Sequence, residues 1–503
     1  MQSTSYLPLT AVIVAAVAIV GLFWRSRRGP PPETKRLKAQ FSSPTRRTKR
    51  DAMSEDQSYM YSGTSRELLA KAQAQIGDKI SVHVRKAEVE EQVDGILMPR
   101  IHTEDENYLV VKLRTGYNVG IRIMNVTSIN VTGKGAEPHF TRPPLPRERI
   151  GLPKVSILST GGTIASKVDY RTGAVKPALD AEDLYSVVPE LAELADVQAK
   201  VVSSTFSENI GPQSWSTIAG AVAEQIKDGA DGVVIAHGTD TLGYTAAALS
   251  FALNKPPVPV ILVGSQRSSD RPSSDAAANL TASTAIAARA PFAEVVIAMH
   301  DWISDEKIAI HLGTKVRKCH TSRRDAFESV NVPPVAYYDL IRNSFDMKSK
   351  SMGKRRSVSD WSIRSKFDGN VVLLKFYPGM SGAIIDWAVA SGQRGIVLEG
   401  SGLGHVSEIM FPAIERAINS DIVVAMTSQC IWGRVHMNVY STGRDLLRMG
   451  VIPLGDMLPE TALVKMMWAL GNETSPLEVK TMMMKNLAGE LSDRRILEAT
   501  YHE

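Results

Sequence analysis

The apolar pattern divides the chain before any single residue type is considered. Leu7 to Trp24 is an almost uninterrupted apolar run with no charge inside, just long enough to span a bilayer as a helix. Residues 29–58, with Pro30 to Pro32 and mixed Ser, Thr, Arg and Lys, hold too few apolar positions to fold and read as a tether. From Ile76 to Val131 apolar and polar positions alternate in short runs: Lys79 to Val84, Gly95 to Met98, Tyr108 to Leu113 and Asn118 to Ile123. Broken by Gly and acidic turns, this pattern predicts a small β-barrel domain over 76–137. Residues 138–153 carry Pro138, Pro143, Pro144, Pro146 and Pro153 and read as an extended linker.

Beyond Lys154 the texture changes. Apolar strand runs at Val155 to Leu158, Gly232 to Ala236, Val258 to Val263 and Val295 to Met299 alternate with helical stretches. Such alternation predicts a parallel sheet covered by helices, here over 154–347. A polar, basic segment, Lys348 to Lys366, separates this unit from a second one over 371–475, with strand runs at Val371 to Leu374, Gly395 to Leu398 and Ile422 to Ala425. Residues 476–503 read as a helical tail. The expected fold class is α/β: a small N-terminal β-barrel followed by two α/β domains with parallel sheets.

Charge changes the picture only at the front. The net charge of +5 suggests a nucleic-acid binder, yet residues 1–52 hold ten Lys or Arg against Glu33 and Asp51, leaving the rest slightly acidic. A body this close to neutral has no diffuse footprint for RNA. Arg25, Arg27 and Arg28 follow the apolar run, so by the positive-inside rule residues 1–52 read as a signal anchor and basic tether with the body facing the cytoplasm. The competing reading is an over-extended gene start, because Met53 or Met60 would begin a complete soluble protein. Two cysteines, Cys319 and Cys430, are too few for a disulfide framework, and the ten histidines show no metal-site spacing.

Two threonine-centred motifs follow strand runs, where open α/β sheets place active residues. In STGGTIA, 159–165, Gly161 and Gly162 permit a tight turn and close approach of a substrate, leaving the Thr163 hydroxyl projecting. A plain structural turn looks the same. In AHGTDT, 236–241, Thr239 and Asp240 supply a hydroxyl and a carboxylate, and a hydroxyl attacks an amide only when a base takes its proton. A helix N-cap is the bland alternative.

The two motifs, in this order and about 75 residues apart, resemble those of the asparaginase and glutaminase family that uses threonine nucleophiles. The resemblance implies two asparaginase-like α/β domains. It implies that Thr163 is the nucleophile, with Tyr170 in DYRTG as its activating hydroxyl partner, and that Thr239, Asp240 and Lys318 form a second cluster. Lys318, in KCHTSRRDAF, would otherwise be read as a surface lysine. Ser207 and Glu208, in TFSEN, fall where the family binds the α-amino and α-carboxylate groups of its substrate, and Gly162 is expected to bind substrate as well; an ordinary loop is the alternative for Ser207 and Glu208. From the residues alone, either threonine could make the first covalent bond.

Longer runs narrow the resemblance. GYNVGI at 116–121, DYRTGAV at 169–175, DGADGVVIAHGTDT at 228–241, QRSSDRPSSDA at 266–276, KCHTSRRDAF at 318–327, EGSGLGH at 399–405 and MTSQCIWGRVHMNVYSTGR at 426–444 are similar to the D subunits of archaeal Glu-tRNA(Gln) amidotransferases. That resemblance implies a glutaminase subunit converting glutamine to glutamate and ammonia. It needs no cofactor of its own, ATP and Mg being used by a partner E subunit that meets most of the Glu-tRNA(Gln). The expected assembly is a heterodimer, paired into a dimer of heterodimers. A stand-alone asparaginase or glutaminase is the alternative. The GLGH and SQCIWGR segments also read as turns that pack the second sheet.

Overall fold

The computed structural model describes residues 61–86, 89–98, 107–112, 118–134, 151–162, 164, 166–169, 174–177, 184, 188–267, 274–349, 352–359 and 361–494. The expected anchor and tether lie outside these residues, and among the described residues no helix is long and apolar enough to cross a membrane.

The first unit begins with helix α1 (Gly63–Lys71), followed by strands β1 (Lys79–Lys86), β2 (Val89–Leu97), β3 (Tyr108–Lys112), β4 (Asn118–Arg122) and β5 (Val126–Gly133). Their order is β4-β3-β2-β1-β5, and every pair is antiparallel. Period-two alternation puts Ile80, Val82 and Val84 of β1 into a core with Leu97, Leu109, Val111, Ile121 and Ile129. The expected closure into a barrel is not seen: among the described residues no pairing joins β4 to β5, and the sheet is open. Tyr61 and Leu69 share the same core. The Tyr61 hydroxyl donates to Met98 O at 2.8 Å and accepts from the Val110 N–H at 3.1 Å, so a helix and an aromatic ring cover the face that a barrel would enclose.

The second unit is built on an eight-stranded sheet. Its elements run β6 (Lys154–Ser159), the hairpin β7 (Ser166–Asp169) and β8 (Ala174–Pro177), α2 (Leu191–Leu194), β9 (Asp196–Val201), α3 (Pro212–Lys227), β10 (Gly232–Ala236), α4 (Leu242–Leu253), β11 (Val260–Val263), α5 (Ala276–Arg289) and β12 (Val295–His300). Then come β13 (Lys307–Leu312), the hairpin β14 (Val316–Lys318) and β15 (Phe327–Ser329), β16 (Ala336–Asp339) and β17 (Ser344–Met347). The sheet order is β17-β16-β13-β12-β11-β10-β6-β9. From β9 to β12 all neighbours are parallel, and the central strands β10, β11 and β12 are unbroken buried runs because helices cover both faces, whereas the edge strand β9 is largely exposed. From β12 to β17 the pairing is antiparallel, so the sheet is mixed, not parallel throughout. Short connections join β12 to β13 and β16 to β17, β13 reaches β16 through the β14–β15 hairpin, and none of these includes a crossover helix, so the chain reverses and pairs antiparallel.

A second, four-stranded parallel sheet, β18-β19-β20-β21, comprises β18 (Val371–Lys375), β19 (Gly395–Gly400), β20 (Val423–Ser428) and β21 (Ile452–Pro453). Helices α6 (Ala383–Ala390), α7 (Phe411–Asn419) and α8 (Ser441–Met449) connect its strands, and α9 (Pro459–Asn472) and α10 (Pro476–Met484) follow. Ser475 caps α10 through a capping box with Glu478.

Helix α9 lies between α4 and the small sheet. This explains why α4 (LGYTAAALSFAL) is apolar nearly all round and why Trp468 meets Phe251 at 5.8 Å between ring centroids. One continuous core therefore joins the two sheets, while the other face of the small sheet packs a second core around Leu398, Ile414 and Met426. Polar ties cross the same junction. Lys315 is fully buried and pairs with Asp456 Oδ2 at 2.7 Å, and the Thr461 hydroxyl donates to Thr314 O at 2.9 Å. Within the basic separator the Arg355 guanidinium donates to Ala287 O, Ala290 O and Asp231 O.

Candidate active site

The site gathers at the C-terminal ends of β6 and β10, which pair in parallel and so end side by side. After β6 the chain turns at Thr160, whose hydroxyl donates to Ala236 O at 3.0 Å. Gly161 and Gly162 follow with φ of +118° and +82°. A Cβ on Gly161 would stand 2.3 Å from Thr205 O, and one on Gly162 would stand 2.9 Å from Gly238 N. Both positions need glycine for conformation and for space. Thr163 and Tyr170 lie outside the described residues.

After β10 comes His237, then Gly238 and a 3-10 turn, Thr239–Thr241, that leads into α4. The turn is held from several sides. The Thr241 hydroxyl donates to Ser207 O at 2.6 Å. A Cβ on Gly238 would meet Ser207 Cβ at 2.8 Å, and one on Gly264 would meet Thr239 Cγ2 at 2.7 Å. Gly162, Ser207, Gly238 and Thr239 thus form one tight junction of three loops. Ser207 is buried there and its neighbour Glu208 is exposed.

Lys318 reaches this junction from β14. Its Nζ donates to Thr239 Oγ1 at 2.9 Å and to Asp240 Oδ1 at 2.7 Å. The lysine side chain is 14% exposed and the Asp240 side chain 70% exposed, so the ammonium enters from inside the protein and the carboxylate faces solvent. Chemically the trio can stabilise an alkoxide on Thr239 and pass a proton between its hydroxyl and the lysine or aspartate.

His237, in the AHGTDT motif but not picked out from the sequence, supports the turn. Its ring is fully buried, and burial pulls its pKa down to about 4, so it is neutral. Nδ1 lies 2.7 Å from Gly238 O and carries the hydrogen, since a carbonyl only accepts. Nε2 then accepts from the Thr245 hydroxyl at 2.9 Å, and Thr245 Oγ1 accepts from Trp215 Nε1 at 3.2 Å. The tautomer and the turn are set together by groups on α3 and α4. A histidine between an apolar strand and a Gly-Thr pair was the one signal that could have found it.

The GLGH and SQCIWGR segments pack the ends of the small sheet. Gly404, at φ +98°, faces Met426 and Val435 at the limit of contact, and Gln429 Nε2 donates to Glu399 O at 3.0 Å and to Phe376 O. Cys319 and Cys430 are free, exposed thiols.

The mixed sheet with two loops meeting at the ends of its parallel strands, and a smaller parallel sheet packed through α9, define an asparaginase-type protein. The family described as "Asparaginase, N-terminal" matches residues 154–351, and the "Glutaminase/Asparaginase C-terminal domain" matches residues 370–483. The solved thermostable L-asparaginase from Thermococcus kodakarensis is 35% identical with a TM-score of 0.60, covering 68% of this chain and 100% of its own. L-asparaginase I from Vibrio cholerae is 27% identical with a TM-score of 0.59, covering 68% of this chain and 99% of its own.

The antiparallel sheet in front has a separate match: the "GatD N-terminal domain" covers residues 74–132. The D subunit of the glutamyl-tRNA(Gln) amidotransferase of Metallosphaera sedula is 47% identical over 446 residues, 87% of this chain and 97% of that one. That of Pyrococcus furiosus is 47% identical over 437 residues, 85% of this chain and 97% of that one. The chain belongs to the family of glutamyl-tRNA(Gln) amidotransferase D subunits.

Proposed function

We propose that this chain is the glutaminase subunit of a tRNA-dependent amidotransferase. It hydrolyses glutamine to glutamate and ammonia, and a partner E subunit uses the ammonia with ATP and Mg to convert Glu-tRNA(Gln) to Gln-tRNA(Gln). The observation that carries the hydrolytic half is the Lys318 ammonium seated 2.9 Å from the Thr239 hydroxyl and 2.7 Å from Asp240. The amidotransferase half is supported by the antiparallel sheet matched over 74–132, which lies outside the part of the chain shared with free-standing asparaginases.

In this reading Thr163 Oγ attacks the side-chain amide carbon of glutamine while Tyr170 takes its proton. The C–N bond of the tetrahedral intermediate breaks, the nitrogen leaves as ammonia with the transferred proton, and a γ-glutamyl ester remains on Thr163. Water then attacks the ester carbon, giving a proton toward the Thr239–Lys318–Asp240 cluster; the bond from that carbon to Thr163 Oγ breaks, Thr163 Oγ takes a proton back, and glutamate leaves. Ser207 and Glu208 hold the α-carboxylate and α-amino groups, and Gly162 lets the substrate approach the backbone. Two such heterodimers pair through the asparaginase-type domains. The N-terminal residues 1–52 would tether the assembly to a membrane with its body on the cytoplasmic side.

The test is glutamate release from glutamine by the full chain co-expressed with its E subunit, with and without Glu-tRNA(Gln) and ATP. Slow release alone that rises with charged tRNA and ATP is expected. Fast release indifferent to both would instead mark a stand-alone amidohydrolase.

A further inference from the structure

Thr239 and Lys318 come from distant parts of the chain, yet one line of hydrogen-bonded groups ties both to the same buried histidine. The Thr239 side of the line starts at Gly264, just past β11, whose bare backbone backs the Thr239 methyl group. Asn279 on α5, completely buried, donates through Nδ2 to Gly264 O at 3.0 Å and to Asp275 Oδ2 at 3.1 Å. Asp275 in turn accepts from the backbone N–H groups of Gln266 and Arg267, so the Asn279 amide is oriented with Oδ1 turned away from Gly264.

Asn279 Oδ1 faces His300 Nδ1 at 2.6 Å. His300 ends β12 with no exposed surface, and its Nε2 lies 2.9 Å from Asp305 Oδ1. Both ring nitrogens thus stand within hydrogen-bond distance of side-chain oxygens, one on α5 and one in the loop after β12.

The Lys318 side starts at Asp305. Arg324 Nη1 donates to Asp305 Oδ1 at 2.7 Å and to Ile303 O at 3.1 Å. Arg324 sits in the loop that joins β14 to β15, and that loop leaves the strand at Lys318. The Cys319 N–H donates to Ala326 O at 2.6 Å, so the hairpin is closed at its base and the loop moves with Lys318.

We propose that His300 is a positioning residue for the Thr239–Lys318 pair. It joins the wall behind Thr239, through Asn279 and Gly264, to the hairpin that carries Lys318, through Asp305 and Arg324. The circuit then closes through the Lys318 Nζ to Thr239 Oγ1 bond. The inference rests on the reading of Thr239 and Lys318 as a working pair. With His300 removed the wall and the hairpin shift independently, and a misplacement of the order of 1 Å costs about a hundredfold in rate. Ser207 and Glu208 sit on a separate loop, tied to the Thr239 turn through Thr241 and not through Gly264 or the β14–β15 hairpin, so the loss falls mainly on kcat.

The test is steady-state glutamate release by the full chain with its E subunit, charged tRNA and ATP, comparing wild type, His300→Leu, Arg324→Met and the double variant. The expected result is a kcat lowered about tenfold to a hundredfold in His300→Leu with KM within about twofold, a smaller fall in Arg324→Met, and a double variant no slower than His300→Leu. A His300→Leu kcat within twofold of wild type overturns the proposal, as do single losses that simply multiply in the double variant. Should His300→Leu not fold, Asp305→Asn and Arg324→Met with their double carry the same comparison, and unchanged kcat in both singles overturns it. A wild type that releases no glutamate overturns the functional reading and this proposal with it; an active wild type with unaffected variants overturns this proposal alone.

Discussion

Lys318 Nζ lies 2.9 Å from Thr239 Oγ1 although the two residues are 79 positions apart. The lysine arrives on β14 and the threonine on the turn after β10, and Asp240 receives the same ammonium at 2.7 Å. A cation held between a hydroxyl and a carboxylate is an arrangement for moving a proton.

Replacing Lys318 by Met should therefore lower kcat for glutamate release by about 10² to 10⁴, the range of a lost general acid–base group. Lys318→Arg should not restore it, because a guanidinium stays protonated and its planar fork does not fit the position of a point charge. The melting temperature should move by only a few degrees. Activity retained in Lys318→Met would remove the lysine from the mechanism.

Gly264 gives a steric test of the same pair. A Cβ there would stand 2.7 Å from Thr239 Cγ2 and 2.9 Å from His237 O. Gly264→Ala should cost about 1–3 kcal/mol by overpacking and lower kcat by displacing Thr239. Gly220, inside α3 with open space around its Cβ position, is the control. Gly220→Ala should stabilise the fold by about 0.5–1 kcal/mol and leave the rate alone. Urea unfolding and steady-state rates on both variants decide it.

Two buried histidines predict an acid limit to stability. Burial lowers the pKa of His237 to about 4 and that of His311 to about 3. Above about pH 6.5 both rings are neutral whether folded or unfolded. As pH falls below that value the unfolded chain binds protons that the folded chain refuses until about pH 4 for His237 and about pH 3 for His311, so stability falls across this window by on the order of 3 kcal/mol for His237 and 5 kcal/mol for His311. His311→Gln can keep the bond to the Ser329 hydroxyl, now 2.8 Å from Nδ1, and should flatten the fall between pH 6.5 and pH 4 by one proton. Urea midpoints as steep as wild type across that range would contradict this assignment.

The segment after α10 is anchored by a buried ion pair. Lys465, on α9, is fully enclosed, donates to Met483 O at 3.1 Å and pairs with the equally buried Glu490. Burial lowers the Lys465 pKa and Glu490 opposes that fall. Glu490→Gln leaves the ammonium without its counter-charge and should cost about 3–5 kcal/mol, whereas Lys465→Met with Glu490→Leu should cost much less. Unfolding midpoints in urea for the two variants give the comparison.

Local pattern was legible wherever burial leaves a run in the chain. Val233 to Ala236 and Ile396 to Leu398 are buried on both sheet faces, so their apolar runs announce strands. Ile80, Val82 and Val84 alternate because one face of their sheet meets a core. Gly161 and Gly162, at positive φ, and Thr239 with Asp240 were visible for the same reason: a tight turn and a hydroxyl beside a carboxylate are properties of neighbouring residues. Pairing was not legible. The antiparallel half of the large sheet and the open edges of β4 and β5 depend on which strands meet, and apolar periodicity does not encode strand direction. Lys318 looked like a surface lysine apart from family resemblance, and Trp215, Thr245, Gly264 and His300 carried no local mark. Their roles come from what stands within a few ångströms once distant segments are packed, and only the folded chain brings those segments together.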